Sequence, residues 1–374
     1  MGGARKRPVP LQPPAFDRLP ANIPSRRYRP PTMPRKISSR RLTERQKNRI
    51  ESLREERRCK RADTSLLAWE RLAQSELLAP EQGRVISHFG YNVEVEDPQG
   101  ARFRCAVRET AGMEPVCGDR VSWSRAGNLE LQGVIWSVVQ RKNALPRPVL
   151  GGGVQIVAAN IDLLMVTLAA DKPNLGLLDR YLVAASINDM EPIILVNKMD
   201  RLPDPNVLNE PLQPYVAMQY PICYVSAHTG QGIVDIERLI QGRTGVFAGH
   251  SGVGKSSIVA HWVPPADRPL VGEAHEPTGA GRHTTTVARL YHLPGGGMLI
   301  DSPGVREFGL MNVSRRSLAH YFRDMVVHAG PCRFTDCSHR HEPDCGIKNA
   351  VSEGKVTRQR YDSMVRIFNS LPDT

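Results

Sequence analysis

No apolar run in this chain of 374 residues reaches the roughly 18 residues that a membrane-crossing helix needs, which argues against a membrane protein. The N-terminus is basic but has no apolar stretch of the signal-peptide kind, so the expected location is cytoplasmic. A disulfide framework is not expected either. Seven cysteines are an odd number, and three of them crowd together near the C-terminus. In a reducing compartment such a cluster suggests metal before disulfide. Residues 1–36 have few large apolar side chains and nine prolines, so they cannot bury enough surface to offset the entropy of ordering and are expected to be disordered.

The leading segment also lacks acid. Residues 1–62 carry 19 Lys/Arg against 5 Asp/Glu, whereas the remainder carries 31 against 33. A basic arm on a nearly neutral body implies a polyanionic partner, most simply RNA. Prolines stop near Thr43, which has capping-box spacing to Gln46, and residues 44–61 are rich in helix formers. The apolar stripe there is thin (Ile50 and Leu53), which suits a helix that orders on a partner; residues 64–80 could continue it.

From residue 83 to about 143 the texture changes to short apolar runs between turn signals. Strands are expected over 83–88, 91–95, 102–108, 120–124 and 133–139, with breaks at Asp97-Pro98-Gln99-Gly100, Gly112, Gly118 and Gly127. Five short strands in so few residues fit an OB-like β-barrel, with Tyr91, Phe103 and Trp123 read as barrel core. From residue 154 to about 310 the pattern is α/β. Residues 162–169 and 192–196 read as buried parallel strands with a helix around 179–188 between them, and 246–248 and 298–300 as further strands. The rest is mixed and helical, and no internal repeat is visible.

Gly249-His250-Ser251-Gly252-Val253-Gly254-Lys255-Ser256 fits G-x-x-x-x-G-K-S after a short apolar strand and before a helix opening at Ser257. Glycines let backbone N–H groups curl around phosphates, and the helix offers its positive end to the same anion. Lys255 is expected to reach the β/γ-phosphates and Ser256 to ligate Mg²⁺. Asp301-Ser302-Pro303-Gly304 follows another apolar run, where a second Asp would hold Mg²⁺ through water; this turn is the candidate γ-phosphate sensor, with Asp301 and Gly304 as its nucleotide-binding residues. Asn197-Lys198-Met199-Asp200 reads guanine: a carboxylate at Asp200 accepts from N1–H and the exocyclic amine, donors that adenine lacks. Asn197 and the Lys198 stem are expected to hold the other edge and the ring face. Ser226-Ala227 has the form of the loop that backs the base. Arg282-His283-Thr284-Thr285-Thr286 lies where a switch threonine completes the Mg²⁺ shell, with Thr285 favoured.

Small GTPases ordinarily run phosphate loop, switch threonine, D-x-x-G, N-K-x-D, S-A. Here the guanine reader comes first, at 197, and the phosphate loop at 249. A circular permutation keeps the site and moves the chain ends. The switch segment then leads directly into Cys332-x₄-Cys337-x-His339-x₅-Cys345, a closed Cys₃His set suited to structural Zn²⁺, with His341 a competing fourth ligand.

With these motifs in place, the chain closely resembles the RsgA (YjeQ) family of circularly permuted, ribosome small-subunit-dependent GTPases. The likeness covers about residues 80–370 and rests on NKMD at 197–200, GHSGVGKSS at 249–257, GRHTTT at 281–286, DSPG at 301–304 and the Cys/His cluster. His250 stands where the family has Gln and Ser302 where it has Thr, both at variable positions. The family spacing favours His339 as the fourth zinc ligand. The resemblance implies an N-terminal OB-like barrel (81–145), a central circularly permuted α/β P-loop GTPase domain (150–310) and a C-terminal helical zinc-binding module (311–374), with a basic arm (1–80) outside the shared core. It also implies a monomeric factor that binds small-subunit rRNA, acts late in subunit maturation and hydrolyses GTP faster there. The alternative is an RNA-binding assembly scaffold with GTP as a switch ligand; an ATP-using P-loop protein is a third reading, against which Asp200 argues.

Many GTPases place a water-orienting Gln just after D-x-x-G. Val305 occupies that position, so intrinsic hydrolysis is expected to be slow, with His283 the candidate for the orienting group.

Overall fold

The computed structural model describes residues 78–89, 92–108, 111–126, 131–148, 154–264, 288–301, 310 and 313–372. The basic arm, the expected helix at 44–61, Tyr91, His283, the threonines at 284–286 and residues 302–305, Gly304 among them, lie outside the described residues.

Strands β1 (Glu81–Phe89), β2 (Asn92–Glu96), β3 (Arg102–Val107), β4 (Arg120–Arg125) and β5 (Gly133–Val138) close into the expected barrel. The pairing runs β1-β2-β3-β5-β4 and returns to β1, with β3 and β5 parallel and the other pairs antiparallel. Alternating residues of these strands point inward, so Val85, Val93, Val95, Cys105, Val121, Trp123 and Ile135 form one core. Trp123 fills the centre and Phe103 packs on it at 4.9 Å between ring centroids. Gly83 and Gly133 make room for that indole: a Cβ at either would lie within 2.7 Å of its atoms.

A hairpin of β6 (Ala144–Pro148) and β7 (Val154–Ala159) follows the barrel. The sequence pattern does not mark β6, because Pro146 and Pro148 hide it; prolines are tolerated in such an edge position.

The α/β part is built on β8 (Leu163–Ala169), β9 (Glu191–Asn197), β10 (Ile222–Tyr224), β11 (Thr244–Ala248), β12 (Arg289–His292) and β13 (Met298–Asp301), in the order β10-β9-β8-β11-β13-β12. All neighbours are parallel except β12, which pairs antiparallel with β13 and touches β1 of the barrel through Ser87 and Arg289. The strands are apolar on both faces because both are covered. Leu164, Val166, Ile194 and Val196 face α1 (Leu175–Ile187) and α2 (Asn209–Ala217). Leu163, Met165, Ile193 and Leu195 face α3 (Ile233–Ile240) and the short α4 (Lys255–Val259). Helix α1 starts earlier than the apolar pattern suggests, because the Asn174 side chain caps it by accepting from the Leu177 N–H at 3.0 Å.

The C-terminal part comprises α5 (Arg323–His328), α6 (Gly346–Ser352) and α7 (Arg358–Ser370) around Leu318, Phe322, Met325, Ile347, Met364 and Ile367, with Val183 of α1 joining that core. A buried ion cluster ties it to the sheet. Arg360 is 2% exposed, grips Asp324 with two hydrogen bonds at 2.8 and 2.9 Å and reaches Asp179 of α1. Asp179 also accepts from the Tyr215 hydroxyl at 2.7 Å. No helix among the described residues is long and apolar enough to cross a membrane.

Candidate nucleotide and metal sites

The parallel register carries the four motifs to one place. Ala169 aligns with Asn197, Val166 with Ala248, and Val246 with Ile300, so the carboxyl ends of β8, β9, β11 and β13 form a single edge. Ligands of open α/β sheets bind outside that edge. Asn197-Lys198-Met199-Asp200 leaves β9 there, Ser226-Ala227 follows β10, the loop from Gly249 leaves β11, and Asp301 ends β13.

The phosphate loop is fixed by what lies under it. Gly249 has φ +141° and presses on the Thr167 carbonyl, where a Cβ would sit at 2.5 Å. His250, Ser251 and Gly252 arch away from the sheet, and Val253 tucks back, fully buried. Gly254 has φ +94°, and a Cβ there would lie 2.2 Å from Asn197 Nδ2. Only glycine meets both demands at once. Lys255 opens α4 and turns its ammonium onto the carbonyls of Gly249 and His250, while Ser256 and Ser257 stay exposed beside it.

Asn197 is 1% exposed and spends both ends of its side chain on the protein. Nδ2 donates to the Val253 carbonyl at 2.8 Å and Oδ1 accepts from the Ala227 N–H at 3.0 Å. The motif pattern gives Asn197 an edge of the base; its contacts within the protein lock the N-K-x-D strand, the Ser226-Ala227 loop and the phosphate loop together. Lys198 adopts the left-handed conformation, φ +67°, and starts a turn of 3₁₀ helix at Met199–Arg201 that carries Asp200. Asp200 is exposed, and buried Ser226 donates to its Oδ1 at 2.6 Å. That hydrogen bond, ahead of one from the Asp200 backbone and the nearby Arg201 charge, holds the carboxyl below its ordinary range.

Two contacts came with no motif to announce them. Nε2 of His261, just past α4, donates to the Ala227 carbonyl at 2.8 Å. The Trp262 indole N–H donates to Glu237 of α3 at 2.6 Å.

The second site is the Cys/His knot. One ligand atom from each of Cys332, Cys337, His339 and Cys345 lies within 4.8 Å of the others. Sγ of Cys332 and Cys345 are 4.0 Å apart, and His339 Nδ1 lies 3.5 and 3.4 Å from them. A tetrahedron with metal–sulfur bonds of about 2.3 Å has edges of roughly 3.8 Å, so the set fits one small ion. His341 is exposed and outside the group, so the four residues whose ligand atoms converge include His339 and not His341. Burial lowers His339, which keeps the imidazole neutral, and pushes Cys337 up to about 12. Thiols so placed ionise when a cation compensates them. The Gly346 N–H donates to Cys332 Sγ at 3.4 Å. Glu342 accepts from the backbone N–H groups of Ser338, Arg340 and His341, which pins the loop carrying His339.

Comparison with known proteins decides the family. The family model for RsgA GTPase matches residues 138–311. A small ribosomal subunit biogenesis GTPase RsgA of Pseudomonas fluorescens is 42% identical over 344 residues, covering 90% of this chain and 99% of that protein. The chain belongs to the RsgA GTPase family. It is accordingly a GTP hydrolase. The protein of the same name from Dickeya dadantii is 40% identical, over 90% of this chain and 96% of its own length. Among solved structures, YjeQ from Thermotoga maritima matches with a TM-score of 0.64 at 31% identity, over 78% of this chain and 99% of its own. YloQ, described as a circularly permuted GTPase, matches with a TM-score of 0.61 at 26% identity, over 79% and 98%. That description of YloQ accords with the permuted motif order read from the sequence.

Proposed function

We propose that this RsgA-family GTPase binds the small ribosomal subunit through its rRNA and assists late maturation of that subunit, hydrolysing GTP with stimulation by the subunit. The Asn197 clamp carries the nucleotide reading. One buried side chain joins the guanine-reading and phosphate-binding segments, which lie far apart and in reversed order in the chain.

In this reading Asp200 takes the N1–H and exocyclic amine of guanine, Ser226 orients it, and Ala227 and Lys198 border the base. Backbone N–H groups of 249–254 cradle the phosphates, Lys255 leaves its loop carbonyls for the β/γ-phosphates, and Ser256 with Thr285 holds Mg²⁺. Asp301 and Gly304 address the γ-phosphate side, and His283 orients the water. Mg²⁺ supplies charge neutralisation on the phosphates when bound. Zn²⁺ in the Cys₃His set is structural, since four protein ligands leave no position for a reacting water. The chain divides as 1–80 basic arm, 81–145 barrel, 150–310 GTPase domain and 311–374 zinc module. It acts as a cytoplasmic monomer.

The basic arm supports an RNA partner by charge. The barrel adds a surface pair in which Arg108 lies 5.0 Å over the Trp136 ring, a combination suited to a stacked base.

The scaffold alternative separates from this reading by one test. Ser256→Ala and Asp301→Asn should bind the subunit but stall its maturation. Normal maturation with either variant, despite lost turnover, would favour GTP as a switch ligand only.

A further inference from the structure

We infer that His261 is a positioning residue for guanine discrimination, acting through the Ala227 carbonyl. The inference rests on the reading above that Asp200 recognises guanine.

The segment from Ser226 to Gln231 is a tight turn. Ser226 N–H donates to the Gln231 carbonyl at 3.0 Å, the Gly230 N–H to the Ser226 carbonyl at 2.9 Å, and the Thr229 N–H to Ser226 Oγ at 3.2 Å. From this turn Ser226 Oγ reaches outward and holds Asp200 at 2.6 Å. Its Ala227 residue is gripped from both sides. Asn197 takes the N–H at 3.0 Å from the β9 side, and His261 Nε2 takes the carbonyl at 2.8 Å from the α4 side. The imidazole lies beside the turn, close enough that a Cβ added at Gly230 would just reach its ring, at 4.0 Å.

His261 is therefore the link by which the helix after the phosphate loop steadies the turn that aims Asp200. Trp262, the next residue, anchors the same segment to Glu237 of α3, so the imidazole is presented from a fixed support. Without His261 the carbonyl turns to water and Ala227 keeps only its Asn197 hold. Asp200 then loses precision toward the exocyclic amine, not the phosphates.

The test is equilibrium binding of GDP, IDP and ADP to the full chain and to His261→Ala and His261→Gln. IDP lacks only the exocyclic amine that Asp200 takes. His261→Ala should shrink the GDP-over-IDP preference about five- to tenfold, mainly by weakening GDP. His261→Gln, whose amide can donate to the same carbonyl, should restore most of it. An unchanged preference in His261→Ala overturns the proposal, as does an equal weakening of GDP and IDP, which would mark a merely structural role. A wild-type protein with no preference for GDP over ADP would instead remove the underlying guanine reading, and the role of His261 with it.

Discussion

The side-chain amide of Asn197 donates to the Val253 carbonyl at 2.8 Å, joining two segments 56 positions apart in the chain. The same side chain accepts from Ala227 at 3.0 Å. Because the amide is buried, neither contact has water as a ready substitute. Asn197→Ala should leave a buried carbonyl and an N–H unpaired, a loss of about 1–3 kcal/mol. GDP affinity should drop roughly ten- to a hundredfold by titration, with the melting transition lowered as well.

Gly254 approaches that amide so closely that a methyl group cannot be added. Gly254→Ala must displace Asn197 or distort the φ +94° backbone. The expected outcome is loss of nucleotide binding at least as large as in Asn197→Ala. An alanine variant that binds GDP normally would show that the loop relaxes on binding.

Ser226 sets a pH dependence. A hydrogen bond donated to the charged form favours it, so Asp200 is held low and stays ionised further into acid. Guanine binding needs the carboxylate. In Ser226→Ala the carboxyl should return toward its ordinary value, and GDP affinity should begin to fail at a higher pH than in the wild type. Superimposable affinity–pH profiles would contradict this.

Arg360 is the buried cation between Asp179 of α1 and Asp324 of α5. Arg360→Met leaves two buried carboxylates without their partner, at a cost of about 3–5 kcal/mol. The urea midpoint should fall markedly. Replacing both acids as well, with Asn, should recover part of the loss, because the uncompensated charges are then gone.

Metal removal should act on the C-terminal part. The purified chain should carry one zinc by elemental analysis, and Cys345→Ser should lose it. Chelation should open the 332–345 segment to protease while the barrel stays intact, since the barrel core of Val85, Trp123 and Ile135 contains none of the ligands.

Much of this was legible in the sequence for identifiable reasons. The barrel strands alternate with period two between turn residues, and all five were located within a few positions. The phosphate loop and N-K-x-D carry fixed residue types because backbone φ and hydrogen-bond donors demand them. Other features left no such trace. Strand β12 has only four residues and borrows its stability from β13 and β1. Asp179 reads as an ordinary helix residue until Arg360 arrives from 181 positions away. Asn197 was legible as a motif member but not as a clamp, because its partners come from two other loops. His261 follows the phosphate loop with no pattern around it. Its meaning depends wholly on where the 226–231 turn lies.

The most direct test of the central claim is steady-state GTP turnover by the full chain, with and without purified small ribosomal subunits. Lys255→Ala serves as the blank. Slow intrinsic hydrolysis and a large stimulation by the subunit are predicted, abolished in the blank and reduced when residues 1–80 are deleted. Equal rates with and without subunits would contradict the claim.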